Sequence, residues 1–506
     1  MAGSARRPAA RVKGRGMRFT VDRDALGEAV TWVARALPTR PVVPVLAGLL
    51  LRVEQEDQKQ GKSNGPGLLT LSCFDYEVSA RMRVPAEVAE PGTALVPGRL
   101  LVEIVRSLPD APVEFGEDPD GISVTCGEAS FAVAALPSAE YPELPDLPQL
   151  AGTADGGVLA TAIGQVTAAA SRDDTLPMLT AVNLEFDRET MTLAATDRYR
   201  LAMRDMPWHP APGFGDQGKT ALLVPARTLS DAAKLMSAGS EVRIMLRPSG
   251  DAVGGAEADE GRAGGGGISA GEGTASARRS DAGRYAGGSG PAEAMIGFEA
   301  GQRRLTARLL AGEFVRYRSR FPQEFACTAD LPAEAFAEAV RRVALVAERG
   351  TPVQLTFAPG RVTVGAGTQG QARARESVPA DFTGDEPSIA FSPHYLLDGV
   401  VAAMATPGPA GAASGGHASG SHPSGGHASG EQSDGAGTET GASTETGADQ
   451  PPAARGGHGA ESGRVRLWFT SASKPAVITS QPAPDADQKQ GEGDFRYLVV
   501  PQRVTR

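Results

Sequence analysis

Apolar residues recur at helical spacing three times along this chain: Leu26, Ala29, Val30 and Val33; Leu159, Ala162, Ile163 and Val166; Phe336, Ala339, Val340 and Val343. Each set falls at i, i+3, i+4 and i+7, the stripe of a helix that buries one face. The copies begin 133 and 177 residues apart, and the longer interval holds a glycine-rich stretch of about 45 residues that reads as an insertion, leaving a period of about 130. A second landmark keeps the same phase. Val96-Pro97-Gly98-Arg99, Val224-Pro225-Ala226-Arg227 and Ser392-Pro393-His394-Tyr395 each open a helix-like run. Proline is expected there at the first helical position, where its missing N–H costs nothing. The chain is read as three copies of one module.

Between the two helices of each module the pattern changes to short alternating or apolar runs, the signature of strands. They fall at 47–53, 68–72, 79–84 and 94–96 in module one, after an opening strand at Met17–Val21. The matching runs are 181–186, 192–195, 200–206 and 221–224 in module two, and 353–357, 361–364, 372–378 and 389–391 in module three. Two helices against antiparallel sheets in each unit predict an α+β class. The expected division is a disordered basic leader over 1–16, then modules at 17–148, 149–323 and 324–506. Segments 248–290 and 406–463 are Gly/Ala/Ser-rich, the latter repeating GGHASG and TETGA, and they cannot bury a core. With a polar insert at 54–67 and a second DQKQG at Asp487–Gly491, they are expected to lengthen hairpin tips between paired strands.

Composition narrows the function. A net charge of −10 argues against non-specific nucleic-acid binding by the whole surface and leaves room for a basic face on an acidic body. Three dispersed cysteines, Cys73, Cys126 and Cys327, fit core thiols in a reducing cytoplasm better than a disulfide framework. No secretory h-region and no run near 18 apolar residues occurs, so no membrane partner is expected. Gly213 to Thr220 matches the phosphate-loop pattern G-x-x-x-x-G-K-T, the basis of an ATP-dependent alternative, but it leads into the strand-like run Ala221–Val224 rather than a helix. His417, His422, His427 and His458 lie in the low-complexity segment without fixed geometry, and His209 and His394 stand alone. The pair Asp173-Asp174 reads as a turn. No catalytic constellation, metal site or cofactor is expected. Cations do gather on or beside the repeated helices: Arg35, Arg40, Arg99, Arg106, Arg172, Arg227, Lys234, Arg341 and Arg342. Equivalent helices sharing one surface would line it with positive charge and hold a polyanion without reading its sequence.

These residues lead to a family. The chain resembles the beta subunit of bacterial DNA polymerase III, the sliding clamp, in its actinobacterial form. The resemblance is carried by MRFTVDRDALGEAV from Met17, LPTRPVVPVLAGLLL at 37–51, LVPGRLLVEIVRSLP at 95–109, TLAATDRYRLAMRDMPW at 192–208 and YLVVPQRV at 497–504. It implies a non-enzymatic, nucleoid-associated cytoplasmic protein that closes as a head-to-tail homodimer around duplex DNA. It implies an interface of Phe131 and Val133 against Ala344 and Leu345. It further implies a peptide pocket, between modules two and three, for the polymerase III alpha subunit, the clamp loader delta subunit and other proteins bearing the clamp-binding motif. By resemblance that pocket comprises Leu179, Thr196, Arg198, Tyr199, Arg200, Leu201, Val315, Ser473, Leu498, Val499, Val500, Pro501, Gln502 and Arg503. Val315 stands where the family commonly has proline, and Gln502 where it commonly has an apolar residue. These departures raise the alternative of a specialised second clamp copy, for example one tolerant of a clamp-directed inhibitor. A DNA-binding regulator, which would bind short linear fragments tightly, is the remaining alternative.

Overall fold

The computed structural model describes residues 16–55, 65–118, 121–214, 218–234, 236, 240–247, 294–347, 350–367, 372–385, 388–405, 463–480 and 495–502. The expected leader apart from Gly16, the 248–290 segment, the 406–463 segment apart from Gly463, and the DQKQG copies lie outside them.

The helices α1 (Arg23–Val33), α2 (Gly98–Ser107), α3 (Gly156–Thr167), α4 (Ala226–Ala233), α5 (Ala333–Ala344) and α6 (Pro393–Met404) pack in consecutive pairs, α1 on α2, α3 on α4 and α5 on α6. Every residue of the repeated stripe, on α1, α3 and α5, is 2% exposed or less. Each contributes to one continuous core under the sheets. Asp22 caps α1, its Oδ1 accepting from the N–H groups of Asp24 and Ala25, and Asp155 caps α3 through the N–H of Val158.

Two of the three landmark prolines sit one residue upstream of the expected position. Pro97 and Pro225 are N-caps with extended ψ values of 111° and 127°, and only Pro393 is in the first turn. The reason is the sheet: Pro97 pairs with Gly48 and Pro225 with Ala181, so the ladder keeps each proline extended until the helix begins. The fixed φ of proline suits both conformations.

The strands form sheets of thirteen, nine and four among the described residues, all with antiparallel pairing. Two of these sheets run through module boundaries. Arg303–Arg308 of module two pairs with Val78–Glu90 of module one, and Phe495–Val499 of module three pairs with Arg200–Pro207 of module two. The junctions are therefore main-chain ladders; a smaller apolar cluster accompanies the second, and another lies within module one.

The insertions follow the expected hairpin rule in three of four places. Segment 54–67 interrupts paired strands whose ladder still includes Glu54, Gln55 and Gly67, the 248–290 segment joins Glu241–Arg247 to Met295–Ala300, and the second DQKQG joins Ala476–Ser480 to Phe495–Val499. The 406–463 segment instead connects α6 to the strand Arg464–Phe469. The apolar run 396–404 there belongs to a helix, so a helix end and not a hairpin tip carries the insertion.

Two outcomes test this core. Phe336→Ala removes a ring with no exposed surface and is expected to destabilise the fold by about 3–5 kcal/mol, read as a lower urea midpoint. Cys73 is buried, its thiol lies 3.2 Å from the Val33 carbonyl, and burial pushes its pKa up to about 12. The thiol stays protonated at pH 8, so iodoacetamide should leave Cys73 unmodified in native protein and label it after denaturation, as mass spectrometry would show.

Candidate functional site

The site at the second junction begins with a turn. Asp197 Oδ1 accepts from the N–H groups of Tyr199 and Arg200, both at 3.0 Å, and Thr196 Oγ1 donates to the Arg200 carbonyl at 2.6 Å. Arg198 takes a φ of +81°, a left-handed conformation that a non-glycine residue holds only when its neighbours determine it. The turn sends Tyr199 outward, 55% exposed, and Arg200 inward, 9% exposed.

The inward guanidinium ties two modules together. Arg200 Nε donates to Asp197 Oδ2 at 2.9 Å, Nη1 donates to Asp398 of α6, and Nη1 lies 3.5 Å from the Tyr497 hydroxyl. The guanidinium sits 4.6 Å from the centroid of Tyr395, which stacks on Tyr199 with rings 6.1 Å apart and 16° from parallel. Tyr497 donates to the Tyr395 carbonyl at 2.9 Å. Burial opposes the charge on Arg200, and Tyr497, Asp398 and Asp197 outweigh it, so its pKa is raised above the ordinary value. Burial pushes the Tyr497 hydroxyl up as well, keeping it a neutral donor.

On the other surface of the same ladder, Leu201 pairs directly with Leu498. Both belong to an apolar cluster with Met203, Tyr317, Phe321, Trp468 and Val477, edged by Phe314, Phe325 and Val500. The connecting segment supplies Phe314, Tyr317, Phe321 and Phe325, an aromatic row at spacings of three and four whose role the sequence reading missed. That spacing was its available signal.

The ladder brings Thr196, Arg198, Tyr199, Arg200, Leu201, Leu498, Val499 and Val500 together. The chain then turns back, with Val500 N–H donating to the Tyr199 carbonyl and Gln502 N–H to that of Ala390 at 2.7 Å. Pro501 is half-buried and the Gln502 side chain exposed. Leu179 is buried at the end of the short helical turn Pro177–Leu179. Its neighbour Met178 and Val315 are each 42% exposed. Gly312, with φ of +137°, leaves room for Met178, because a Cβ there would come within 3.0 Å of its sulfur. Ser473 is exposed in the turn 471–474, its hydroxyl 3.5 Å from that of Ser471. Arg503 lies outside the described residues.

All nine candidate cations, Arg35, Arg40, Arg99, Arg106, Arg172, Arg227, Lys234, Arg341 and Arg342, are exposed. Arg35, Arg40 and Arg227 line one cleft at the first junction, and Arg99 reaches the Thr39 carbonyl at 3.4 Å. Arg106 lines a shallow depression beside α1. Two cations are engaged locally: Lys234 pairs with Asp231 at 2.6 Å, and Arg342 grips Glu376 through two bonds and Glu338 through a third. The bond to Arg342 holds the Glu376 carboxyl below its usual range. The charge is uneven across the repeat, since α3 and α6 contain no Lys or Arg.

The four residues expected at an interface divide by burial. Val133 is 2% exposed, Phe131 is half-buried against the core, Ala344 is half-buried at the end of α5, and Leu345 is 84% exposed. Val133 faces its own core because it alternates with the outward Ala132 along the strand Ala129–Val133. Gly218 and Lys219 of the phosphate-loop-like match precede the strand Thr220–Pro225, no helix starts there, and Lys219 pairs with Asp187 at 3.2 Å.

Comparison with known proteins settles the family. Residues 17–145, 154–266 and 318–407 match the N-terminal, central and C-terminal domains of the DNA polymerase III beta subunit. A beta sliding clamp of Streptomyces coelicolor is 38% identical over 97% of this chain and 100% of its own length. The chain belongs to the beta sliding clamp family. The Micrococcus luteus beta sliding clamp is 42% identical over 72% of this chain and 99% of its own length, and the Streptomyces muensis beta sliding clamp homolog GriR is 39% identical over 76% and 88%. Among solved structures, the Bacillus subtilis DNA polymerase sliding clamp aligns with a TM-score of 0.66 at 20% identity, and a Pseudomonas aeruginosa clamp bound to griselimycin with 0.67 at 21%, each over 97% of this chain and 100% of the other. These establish the three-module clamp fold, and the protein is a DNA sliding clamp of replication.

The Arg200 linkage yields a direct test. Arg200→Met leaves Asp197, whose side chain is 11% exposed, without its cation and is expected to destabilise the clamp by about 3 kcal/mol, measured as a shift in thermal unfolding.

Proposed function

We propose that two copies of this clamp, each built of modules 17–148, 149–323 and 324–506, join head to tail in a closed ring around duplex DNA. The observation that carries this reading is a pair of free strand edges at opposite ends of the repeat. Ala129–Val133 ends the thirteen-stranded sheet on module one, and Arg373–Pro379 ends the four-stranded sheet on module three. The internal junctions are themselves strand pairings, so pairing these edges between protomers repeats the same device and closes a ring. Phe131 lies on the first edge, and α5, which ends at Ala344 before exposed Leu345, packs on the second.

In the ring, Arg35, Arg40, Arg99, Arg106, Arg172, Arg227, Lys234, Arg341 and Arg342 face the DNA. Retention is topological, and the protein slides because phosphate contacts are many and individually weak. The second junction docks a short peptide of the polymerase alpha subunit, the loader delta subunit or another factor with the same motif. Leu201 and Leu498 form its floor and Tyr199, Met178 and Val315 its exposed apolar margin. The protein acts without a catalytic site of its own, in the cytoplasm. None of the described helices is long and apolar enough to cross a membrane. The exposed side chain of Gln502 favours the second reading, a specialised clamp copy whose pocket is more polar than usual.

Leu345→Asp should raise the dimer dissociation constant at least about 30-fold in analytical ultracentrifugation while leaving the melting temperature unchanged. Loaded by a clamp loader, the wild type should stay on circular DNA and run off the same DNA once linearised; equal retention on both would refute encirclement. For the second reading, Gln502→Met should bind a polymerase-derived peptide more tightly than wild type, and equal affinity would end it.

A further inference from the structure

The turn that aims Arg200 inward occurs twice. In module one, Asp75 Oδ1 accepts from the N–H groups of Glu77 at 3.0 Å and Val78 at 2.7 Å, and Tyr76 takes a φ of +75°. The construction repeats Asp197, Arg198, Tyr199 and Arg200 residue for residue, placing Val78 where the second junction has Arg200. The strands that follow keep the same register across their junctions, Ala80 opposite Leu305 as Ala202 is opposite Tyr497. Leu229 and Leu396 are the matching buried leucines of α4 and α6, which puts Thr228 and Asp231 at the places of Tyr395 and Asp398.

Both carboxylates that hold the Arg200 guanidinium thus have counterparts at the first junction, Asp75 and Asp231, and the groups that fill the space do not. Valine replaces arginine, threonine replaces one tyrosine and leucine the other. A cleft of about 270 Å³ results, with Asp75, Val78, Thr228, Asp231 and Leu305 all in its lining. The second oxygen of Asp75, equivalent to the one that accepts from Arg200 Nε, makes no hydrogen bond or ion pair among the described residues, and Asp231 holds only the half-exposed Lys234.

We propose that this cleft binds a guanidinium group supplied by a ligand, seated between Asp75 and Asp231 as Arg200 is seated between Asp197 and Asp398. A planar guanidinium can donate to both carboxylates at once, which an ammonium point charge does less well. Trp32 and Leu37 give the cleft an apolar wall for a methylene stem, and Arg35, Arg40 and Arg227 line it too, so an anionic group on the same ligand is matched. The ligand class is an arginine-type compound, either free with its carboxylate or as a side chain within a partner protein. The inference does not depend on ring closure or peptide docking.

Isothermal titration of the full chain with L-arginine should show one saturable site with a Kd on the order of 1 mM. L-citrulline, whose ureido side chain carries no charge, should give no saturable heat. Nα-acetyl-arginine amide separates the two sources: affinity equal to that of L-arginine points to an arginine within a chain, and weaker affinity to a free carboxylate ligand. Asp75→Asn keeps the oxygen that caps the turn and should weaken arginine at least about 10-fold, as should Asp231→Asn. Val78→Arg installs the guanidinium that the second junction already has, and should abolish arginine binding while raising the melting temperature. Absence of saturable arginine binding, equal binding of citrulline, or arginine affinity unchanged in all three variants overturns the proposal.

Discussion

The molecule depends on backbone ladders that run through its module boundaries. Where Val78–Glu90 meets Arg303–Arg308, and where Arg200–Pro207 meets Phe495–Val499, neighbouring modules share one sheet. Main-chain pairing fixes register as well as distance, because a slip by one residue would turn every side chain to the opposite face. It also satisfies backbone groups that a side-chain interface would leave exposed at each edge. One ladder therefore sets both the angle between modules and the residues that confront one another there.

With the frame set by backbone, side chains are free to make the two junctions different. At the second, Leu201 faces Leu498 over an aromatic bed, and on the reverse surface Arg200 is locked between two aspartates and Tyr395. At the first, the equivalent of the leucine pair is Ser79 and Thr306, whose hydroxyls lie 2.6 Å apart, and the equivalent of Arg200 is valine. The apolar leucine pair thus exists at only one of the two described junctions. An apolar anchor placed on the first would have to displace a buried hydroxyl pair.

Most of the architecture was legible in the sequence. Helical stripes and strand alternation report burial locally, and a thrice-repeated pattern multiplies that signal, so the helices and about half of the described strands could be placed. The failures came where a neighbour overrode the local pattern. Pro97 and Pro225 read as first-turn prolines and are held extended by strand pairing, and the 406–463 segment read as a hairpin tip and follows a helix. At the site, Leu201 and Leu498 were named through resemblance, Tyr317 and Phe321 left only the three-and-four spacing of their aromatic row, and Trp468, far along the chain from its partners, left no periodic trace.

The chain by itself determined the repeat, the α+β class, the exposed cations and the family, since each of these is written in spacing, composition or motif. Tertiary structure alone decided that Val133 turns into its own core, that Arg342 is occupied by Glu376 and Glu338, and that Asp75 and Asp231 share a cleft. Those facts depend on which side chains the ladders and helix pairs bring within bonding distance. A linear pattern can show that a residue is charged or apolar, and only the folded chain chooses its partner.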